Sequence, residues 1–383
     1  MKKRIYLDYA ATTPVEPAVV DAMLPFFRQY FGNASSIHHF GLEAKNALDQ
    51  ARKTIARMLN VEPREIIFTA GGTEANNLAI LGTAARFEQP GHIVTSSVEH
   101  PSVRRTCEAL QKKGWRVTYL PVDRFGMVHP DDLEKAIQPD TRLITIMYVN
   151  NEIGTINPIK SLAEIARKNN IPFHTDAVQA FGKLKIDLQD EPISLLSLAG
   201  HKIYGPKGIG ALVVRRGVSL QPILSGGSQE FKLRPGTENL PAIMGLARAA
   251  EIFEQRREDD RRHIQELADF FLRRLREEIP EAVHNGHPER RYPGILNVSF
   301  PGIENIALVM GLDLEGIAVS NGSACSSGKV EPSHVLQAMK LPKDIQLSAI
   351  RISLGRYTTQ EEMEFLVAAL KKLTQNKIKP VRN

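Results

Sequence analysis

Short runs of β-branched and aromatic residues alternate with helix-like segments from about residue 60 to residue 215. This alternation is typical of βαβ units, in which parallel strands form one sheet and the connecting helices cover it. The runs that predict strands are 65–69, His92–Ser96, 143–148 and 171–175. Because ligands of such sheets bind at the carboxyl ends of the strands, the chemistry of this chain is expected there.

The chain has 383 residues, which is long for a single hydrophobic core, so two domains are expected. A charged stretch at 251–279 places apolar residues at roughly helical spacing and predicts a long amphipathic connector. After it, 294–300 predicts a strand and Gln360–Gln375 predicts a final helix. The sequence shows neither an internal repeat nor a low-complexity segment.

Charge and cysteine content narrow the class of protein. The net charge is +6, but the basic residues are scattered, so we expect no direct nucleic-acid binding. The two cysteines, Cys107 and Cys325, exclude a disulfide framework and a four-cysteine zinc site, and they suit a reducing compartment. Asp8 interrupts the apolar run that a signal peptide would need, and the apolar stretch 143–149 falls far short of the roughly 20 residues that span a bilayer. A cytoplasmic enzyme is expected.

The eleven histidines raise the question of a metal site. His38 and His39 are adjacent and therefore do not share a helix face, and no His-Glu-x-x-His pattern occurs. We predict no metal.

Polar residues follow several of the predicted strands. Thr73, in the turn that begins with Gly71 and Gly72, is expected at a helix N-terminus, where free N–H groups and the helix dipole suit a phosphate. An ordinary helix cap is an equally good explanation of this turn alone. His100 follows another strand, and its function depends on what lies beside it.

Asp176 and Lys202 both follow predicted strands. A buried carboxylate at the rim of the sheet needs a cation, and the protonated ring nitrogen of pyridoxal phosphate would supply one. A lysine that loses solvation has a lowered pKa, as a Schiff-base lysine requires, because only the neutral amine attacks an aldehyde. A capping aspartate and a solvated surface lysine are the alternatives for each residue taken alone.

Cys325 lies in 320–329, a stretch of small residues without apolar periodicity, which predicts a loop. Reactive cysteines are exposed, whereas Cys107 is expected to be inert on a buried helix face. A nucleotide P-loop is excluded here, because the glycine spacing is wrong and Val330 replaces the required Ser or Thr. Arg351 alternates with apolar residues, and its guanidinium suits a carboxylate, although a surface ion pair is the alternative.

These residues belong to motifs that recur in a known family. The chain resembles the cysteine desulfurases, within the fold-type I pyridoxal-phosphate enzymes related to class V aminotransferases, over essentially its whole length. The motifs lie at 6–14, 32–33, 69–77, 99–100, 149–154, 176–179, 201–202, 234–239, 322–325 and 351–356.

The resemblance implies an α/β fold in which a large domain has a mixed, mostly parallel sheet flanked by helices. This cofactor-binding domain is expected at 15–260. A smaller α+β domain is expected from 1–14 and 261–383, with the cysteine loop and the substrate-carboxylate arginine.

The resemblance also implies the functions of individual residues. Lys202 is expected to hold the cofactor pyridoxal 5′-phosphate, Asp176 to pair with its ring nitrogen, Gln179 to donate to its phenolic oxygen, and His100 to stack on the ring and shuttle protons. The remaining site residues are Gly72, Thr73 and His201 at the phosphate, Asn151 beside the ring and substrate, Arg351 at the substrate carboxylate, and Thr237 at the phosphate of the neighbouring subunit of a homodimer.

The implied reaction converts L-cysteine to L-alanine, with Cys325 attacking the substrate sulfur and keeping it as a persulfide. The sulfur would pass to an acceptor protein, either an iron–sulfur scaffold or a tRNA-thiolation enzyme. A pyridoxal-phosphate aminotransferase would share every site residue except Cys325, which argues against that alternative. Selenocysteine lyase activity stays open, and a binding module with a vestigial site is disfavoured because Lys202, Asp176 and Cys325 are intact.

Two departures from the family stand out. Ala199 occupies a position where the family commonly has a phosphate-binding serine, which predicts looser cofactor retention. The stretch 377–383 after the final helix is short, whereas related enzymes often dock an iron–sulfur scaffold on a longer tail. A scaffold contact at this tail is therefore left open.

Overall fold

The structure, a computed structural model, describes residues 4–322 and 332–375. Within these ranges no helix has both the length and the apolar character that crossing a membrane requires. The helices are α1 (Pro17–Met23), α2 (Pro25–Arg28), α3 (His39–Leu59), α4 (Gly72–Ala84), α5 (Pro101–Gln111), α6 (Pro130–Ala136), α7 (Ile159–Lys168), α8 (Leu240–Glu278), α9 (Asn305–Leu314), α10 (His334–Ala338), α11 (Lys343–Leu347) and α12 (Gln360–Gln375). The strands are β1 (Ile5–Tyr6), β2 (Ile66–Thr69), β3 (His92–Ser96), β4 (Arg116–Leu120), β5 (Thr141–Thr145), β6 (Phe173–Asp176), β7 (Leu195–Ala199), β8 (Gly210–Val214), β9 (Val283–Asn285), β10 (Ile295–Ser299), β11 (Ile317–Ala318) and β12 (Ala349–Ser353).

The largest sheet in the described residues has seven strands in the order β2-β8-β7-β6-β5-β3-β4. Strands β7, β6, β5, β3 and β4 are mutually parallel, while β8 runs antiparallel to both β7 and β2. Because β2 and β7 are both antiparallel to β8, they run in the same direction. The carboxyl ends of all these strands except β8 therefore lie along one edge. The predicted mixed, mostly parallel sheet is confirmed.

Alternate residues of the large sheet face two different apolar cores. Ile66 and Phe68 pack with α3, α7 and α8, whereas Ile67 between them packs with α4 and α5. The same alternation recurs in β7, where Leu195 and Leu196 lie in different cores. Helices thus cover both faces, as the two-residue period of a strand requires.

A smaller antiparallel sheet, β12-β10-β9, and a parallel pair, β1-β11, lie outside the large sheet. Strand β1 lies early in the chain and β11 in its last third, so distant parts of the sequence meet. The predicted smaller α+β unit is confirmed. The boundary at residue 260 falls inside the continuous helix α8, and the division of the chain there stays a prediction.

Most predicted elements are present, with shifted ends. Strand β3 and helix α12 have the predicted bounds, and β5 begins two residues before the predicted run 143–148. The connector is longer than predicted, because α8 begins at Leu240 instead of 251. The Asn239 side chain caps this helix by accepting from the Ala242 N–H at 3.3 Å. The prediction missed residues 240–250 because it relied on the charged pattern that begins at 251, and this first part of α8 is apolar.

Candidate active site

Lys202 ends the short turn Gly200–Lys202 that follows β7. Its Nζ donates to the carbonyl oxygens of Ala10 and Ala11, each at 2.6 Å. Burial and the nearby Arg351 guanidinium lower the pKa of Lys202 to about 8, although Asp8 and Asp176 act in the opposite direction. A substantial fraction of neutral amine is therefore present near neutral pH, as nucleophilic attack on an aldehyde requires.

Asp176 is the last residue of β6 and is buried. One of its oxygens accepts from Asn76 Nδ2 at 2.7 Å, and the other accepts from the Val178 N–H at 3.0 Å. Both donors are neutral, and Asp176 forms no ion pair within the described part of the chain. A buried carboxylate held this way has an uncompensated charge and favours a cationic ligand.

His100 caps the N-terminus of α5. Its Nδ1 accepts from the Ser102 N–H at 3.2 Å and lies 2.8 Å from Ser102 Oγ, which in turn accepts from Asn76 Nδ2. Burial lowers the pKa of His100, with Asp176 acting against the shift. A neutral ring that accepts at Nδ1 carries its proton on Nε2. The ring is thus linked to Asp176 through two polar side chains.

Gln179 lies on the same edge, in the turn after β6. Its Nε2 donates to the Ala10 carbonyl at 2.9 Å, the same oxygen that Lys202 contacts, and its Oε1 accepts from Lys183 Nζ at 2.6 Å. Lys202 and Gln179 are therefore held side by side by one backbone carbonyl.

Helix α4 begins at this edge with Gly72 and Thr73. A Cβ added to Gly72 would lie 2.5 Å from Val178 Cγ2, which is too close, so this position requires glycine. The same added Cβ would lie 3.7 Å from Ala199 Cβ, so Gly72 and Ala199 are neighbours. Thr73 is exposed. The first N–H groups of a helix lack partners within it, so this end suits a phosphate. Ala199, at the position where the family commonly has a serine, lies beside it.

His201 and Thr237, the other predicted phosphate ligands, differ in position. His201 is half-buried, with Nδ1 3.3 Å from Thr12 Oγ1, and burial followed by the Lys202 charge lowers its pKa to about 4. Thr237 lies exposed before α8 and makes no hydrogen bond to the other site residues in the part of the chain that is described. Thr237 is therefore not joined to this cluster within one chain.

Arg351 projects from β12 and is 5% exposed. It donates from Nη2 to Asp8 Oδ1 at 2.8 Å and from Nη1 to the Asn151 carbonyl at 3.0 Å. Its Nε is buried and has no hydrogen-bond partner among residues 4–322 and 332–375. The guanidinium thus reaches both the half-buried Asn151 and the surroundings of Lys202, and it already holds one carboxylate.

Cys325 lies outside the described residues, but the residues flanking 323–331 meet near Arg351. Ser320 pairs with Arg351, with its N–H donating to the Arg351 carbonyl at 3.1 Å. Beyond the segment, Ser333 Oγ donates to Glu152 Oε2 at 2.5 Å, and a Cβ on Gly322 would lie 3.1 Å from the same oxygen. Ser333 therefore contacts the buried Glu152 carboxyl group, and Gly322 lies beside the same group.

Cys107 has the environment expected of an inert thiol. It is fully buried on α5, and burial raises its pKa to about 12. This confirms the prediction that Cys107 is a core residue.

The sequence analysis missed four residues that complete the site: Asp8, Asn76, Glu152 and Lys183. Asp8, Asn76 and Glu152 lie within quoted motifs, but their pairing with residues far along the chain has no local signature. Lys183 follows Gln179 by four residues, and this spacing allows side-chain contact in a helical turn. Of the four missed residues, Lys183 was therefore the one that the sequence could have indicated. Within the described residues, no three His, Cys, Asp or Glu side chains group as metal ligands.

The described side chains fit pyridoxal phosphate. They combine a lysine of lowered pKa, a buried carboxylate without a cation, and a helix N-terminus at one sheet edge. An aldehyde, a protonated ring nitrogen and a phosphate would meet these three features.

Comparison with known proteins agrees with this description. Residues 5–366 match the class V aminotransferase family. A curated relative, cysteine desulfurase IscS of Dictyoglomus turgidum, is 47% identical over 376 residues, covering 98% of this chain and 95% of the relative. Among solved structures, a NifS-like protein is 37% identical with a TM-score of 0.92, covering 98% of this chain and 100% of its own. A structure named as SspA in complex with cysteine is 41% identical with a TM-score of 0.83, covering 94% and 100%.

Proposed function

The chain belongs to the class V aminotransferase family and is a cysteine desulfurase, and we propose that it holds pyridoxal phosphate on Lys202 and receives sulfur on Cys325. The observation that supports this most strongly is the placement of Lys202 at a strand end, with its pKa lowered to about 8. Asp176, His100 and Gln179 lie along the same edge.

When bound, the cofactor supplies an electron sink that stabilises negative charge at the substrate α-carbon. In our proposal Asp176 provides the anion for the ring nitrogen, and Gln179 provides a donor for the phenolic oxygen. Gly72, Thr73 and His201 provide the phosphate site. His100, with its proton on Nε2, moves protons beside the ring.

Arg351 is proposed to bind the carboxylate of L-cysteine, with Asn151 beside it. Because Arg351 Nη2 contacts Asp8, the substrate carboxylate exchanges with Asp8 or shares the guanidinium with it.

The thiolate of Cys325 is the proposed sulfur acceptor. It attacks the substrate sulfur, an S–S bond forms, and the C–S bond breaks with its electron pair remaining on carbon, which takes a proton to give alanine. Cys325 is the third residue after Gly322, and three steps along the chain span at most roughly 11 Å. Since Ser320 pairs with Arg351, the thiol lies within chain reach of the substrate site.

A homodimer is part of the proposal. Large apolar side chains are exposed between residues 20 and 42, namely Val20, Leu24, Phe27, Phe31, Ile37, Phe40 and Leu42. Such a concentration is typical of an interface. A partner subunit would cover it and would also give the exposed Thr237 a phosphate to contact.

The acceptor of the persulfide sulfur is proposed to be an iron–sulfur scaffold or a tRNA-thiolation enzyme. A free, reactive thiol is stable only in a reducing compartment, so we propose a cytoplasmic location.

The experiment that tests the proposal uses the purified protein with added pyridoxal phosphate and L-cysteine. We expect a visible absorption band that borohydride abolishes while labelling Lys202, and release of sulfide and alanine in the presence of a reductant. Cys325→Ala should keep the band and lose sulfide release, with Cys107→Ala as the matched control.

Two outcomes would contradict this proposal. A protein that stays colourless would remove Lys202 as the cofactor lysine. Full sulfide release by Cys325→Ala would remove the nucleophile, and transamination that is independent of Cys325 would favour an aminotransferase.

A further inference from the structure

A second lysine lies inside the site, and the reaction as proposed does not use it. Lys183 is 7% exposed, and within the described residues it forms no ion pair. Its Nζ donates to Gln179 Oε1 at 2.6 Å and lies 5.1 Å from the centre of the Tyr292 ring. A buried amine without a carboxylate partner is costly, so a function that offsets this cost is expected.

The contact with Lys183 determines which way the Gln179 amide faces. An amide has one accepting oxygen and one donating nitrogen, and Lys183 engages the oxygen. This leaves Nε2 directed at the Ala10 carbonyl, 2.9 Å away. A rotated amide would place Oε1 against the Ala10 carbonyl, which is unfavourable in either protonation state of Lys183, and it would place Nε2 against the ammonium form of Lys183, which has no acceptor.

Both protonation states of Lys183 preserve this orientation. Burial, together with the charges of Lys202 and Arg351, lowers the pKa of Lys183 to about 7. The ammonium and the neutral amine each carry N–H groups, so either one donates to Gln179 Oε1. The carboxylate of Asp260 lines the same small cavity as Lys183 and Lys202.

We propose that Lys183 is a positioning residue that fixes the Gln179 amide so that one Nε2 N–H donates to the Ala10 carbonyl and the other is available to the phenolic oxygen of the cofactor. This inference rests on the proposed function, because Gln179 has that target only if pyridoxal phosphate binds at Lys202. Lys183 itself contacts neither the substrate nor the cofactor in this proposal.

The test compares Lys183→Met, which removes the donor, with Lys183→Arg, which keeps it, and with Lys185→Met, a change at an exposed lysine two residues away. In Lys183→Met we expect the pyridoxal-phosphate dissociation constant to rise roughly tenfold, the loss expected for one weakened hydrogen bond to a charged acceptor. The midpoint pH of the visible band should rise, because the phenolic oxygen loses a donor that stabilises its negative charge. Lys183→Arg and Lys185→Met should resemble the unmodified protein.

A double variant separates positioning from a direct charge effect. If Lys183 acts through Gln179, Lys183→Met changes neither the midpoint pH nor the affinity further in a Gln179→Ala background. An equal change in both backgrounds would overturn the inference, since Lys183 would then act on Lys202 directly.

Two other results bear on the inference. An unchanged band and affinity in Lys183→Met would leave Lys183 a structural residue and overturn the inference while leaving the proposed function intact. A band that is absent from the unmodified protein would overturn both.

If Lys183→Met fails to fold, as judged by thermal melting of the cofactor-free protein, the same comparison is made with Lys183→Gln, whose shorter amide should restore only part of the affinity.

Discussion

The two sheets contribute to the site in different ways. At the carboxyl edge of the seven-stranded sheet, Lys202 and Asp176 are held by backbone groups and neutral side chains, so their charges are not matched by ion pairs among the described residues. On the three-stranded sheet, Arg351 is already paired with Asp8. In the proposed function, the large sheet thus presents a preorganised site for a charged cofactor, whereas the proposed substrate-binding arginine on the small sheet is paired with Asp8 until a substrate arrives.

The largest effect should come from removing the cofactor lysine. Lys202→Ala should lower sulfide release by roughly 10³-fold or more, since a covalent anchor of the reaction is lost. Borohydride should no longer label the protein, and mass spectrometry of the reduced protein checks this directly. Lys168→Ala, at an exposed lysine that ends α7, is the control. Labelling that persists at another lysine would disprove the assignment of Lys202.

A charge-conserving change on the small sheet tests the other half of the comparison. Arg351→Lys keeps the positive charge but loses the planar fork, so we expect KM for L-cysteine to rise about 10- to 100-fold, with little change in the visible band. Steady-state kinetics at saturating cofactor measures this, with the exposed Arg290→Lys as control. A loss of cofactor affinity instead would show that Arg351 belongs to the cofactor site.

The difference between the two sheets also explains what the sequence could predict. The strand-end rule locates Asp176, His100 and Lys202 because each lies at the carboxyl end of its own strand or within four residues after it. The order of elements likewise follows from local patterns. The Asp8–Arg351 ion pair joins residues that are 343 positions apart, and no local pattern predicts it. This pair arises because Asp8, just after β1, lies beside Ser353 of β12, so that two distant parts of the sequence meet.

The strained backbone at 230–232 could not be predicted from the sequence either. Glu230, Phe231 and Lys232 all have positive φ, which is unfavourable for residues with side chains. The buried Arg52 guanidinium holds Glu230 in an ion pair and also lies over the Phe231 ring. This turn comes shortly before Thr237, and its conformation depends on an arginine from α3. No turn motif in the sequence indicates that dependence.

A smaller effect is expected at the phosphate end of the large sheet. Ala199→Ser adds a hydroxyl beside the start of α4, and a hydrogen bond to a charged acceptor is worth about 1.5 to 3 kcal/mol. We expect pyridoxal phosphate to bind roughly tenfold more tightly, measured by equilibrium titration of the visible band. The melting temperature of the cofactor-free variant should not rise, because without an anion the added hydroxyl is buried and unpaired. Equal cofactor affinity in the two proteins would contradict this expectation.

The smallest effect tests the link between the sheets, through Asp8. Asp8→Asn preserves the size of the side chain but removes its charge. The ion pair with Arg351 is then lost, so the substrate carboxylate meets less competition for the guanidinium, and KM for L-cysteine should fall by a few-fold. The same carboxylate raises the pKa of Lys202, so its removal should move that pKa below about 8. Only the neutral amine combines with the cofactor, so the rate of cofactor loading should reach its plateau at a lower pH in the variant than in the unmodified protein.

Stopped-flow loading of the cofactor-free protein across pH measures the shift at Lys202, and steady-state kinetics measures KM; Asp21→Asn, at an exposed aspartate, is the matched control. The two readouts respond to different partners of Asp8, one on each sheet. A shift in the loading profile without a change in KM would mean that Asp8 does not compete with the substrate for Arg351. In that case the ion pair of the small sheet would be part of the assembled substrate site, and the contrast between a preorganised cofactor edge and a masked substrate group would no longer hold.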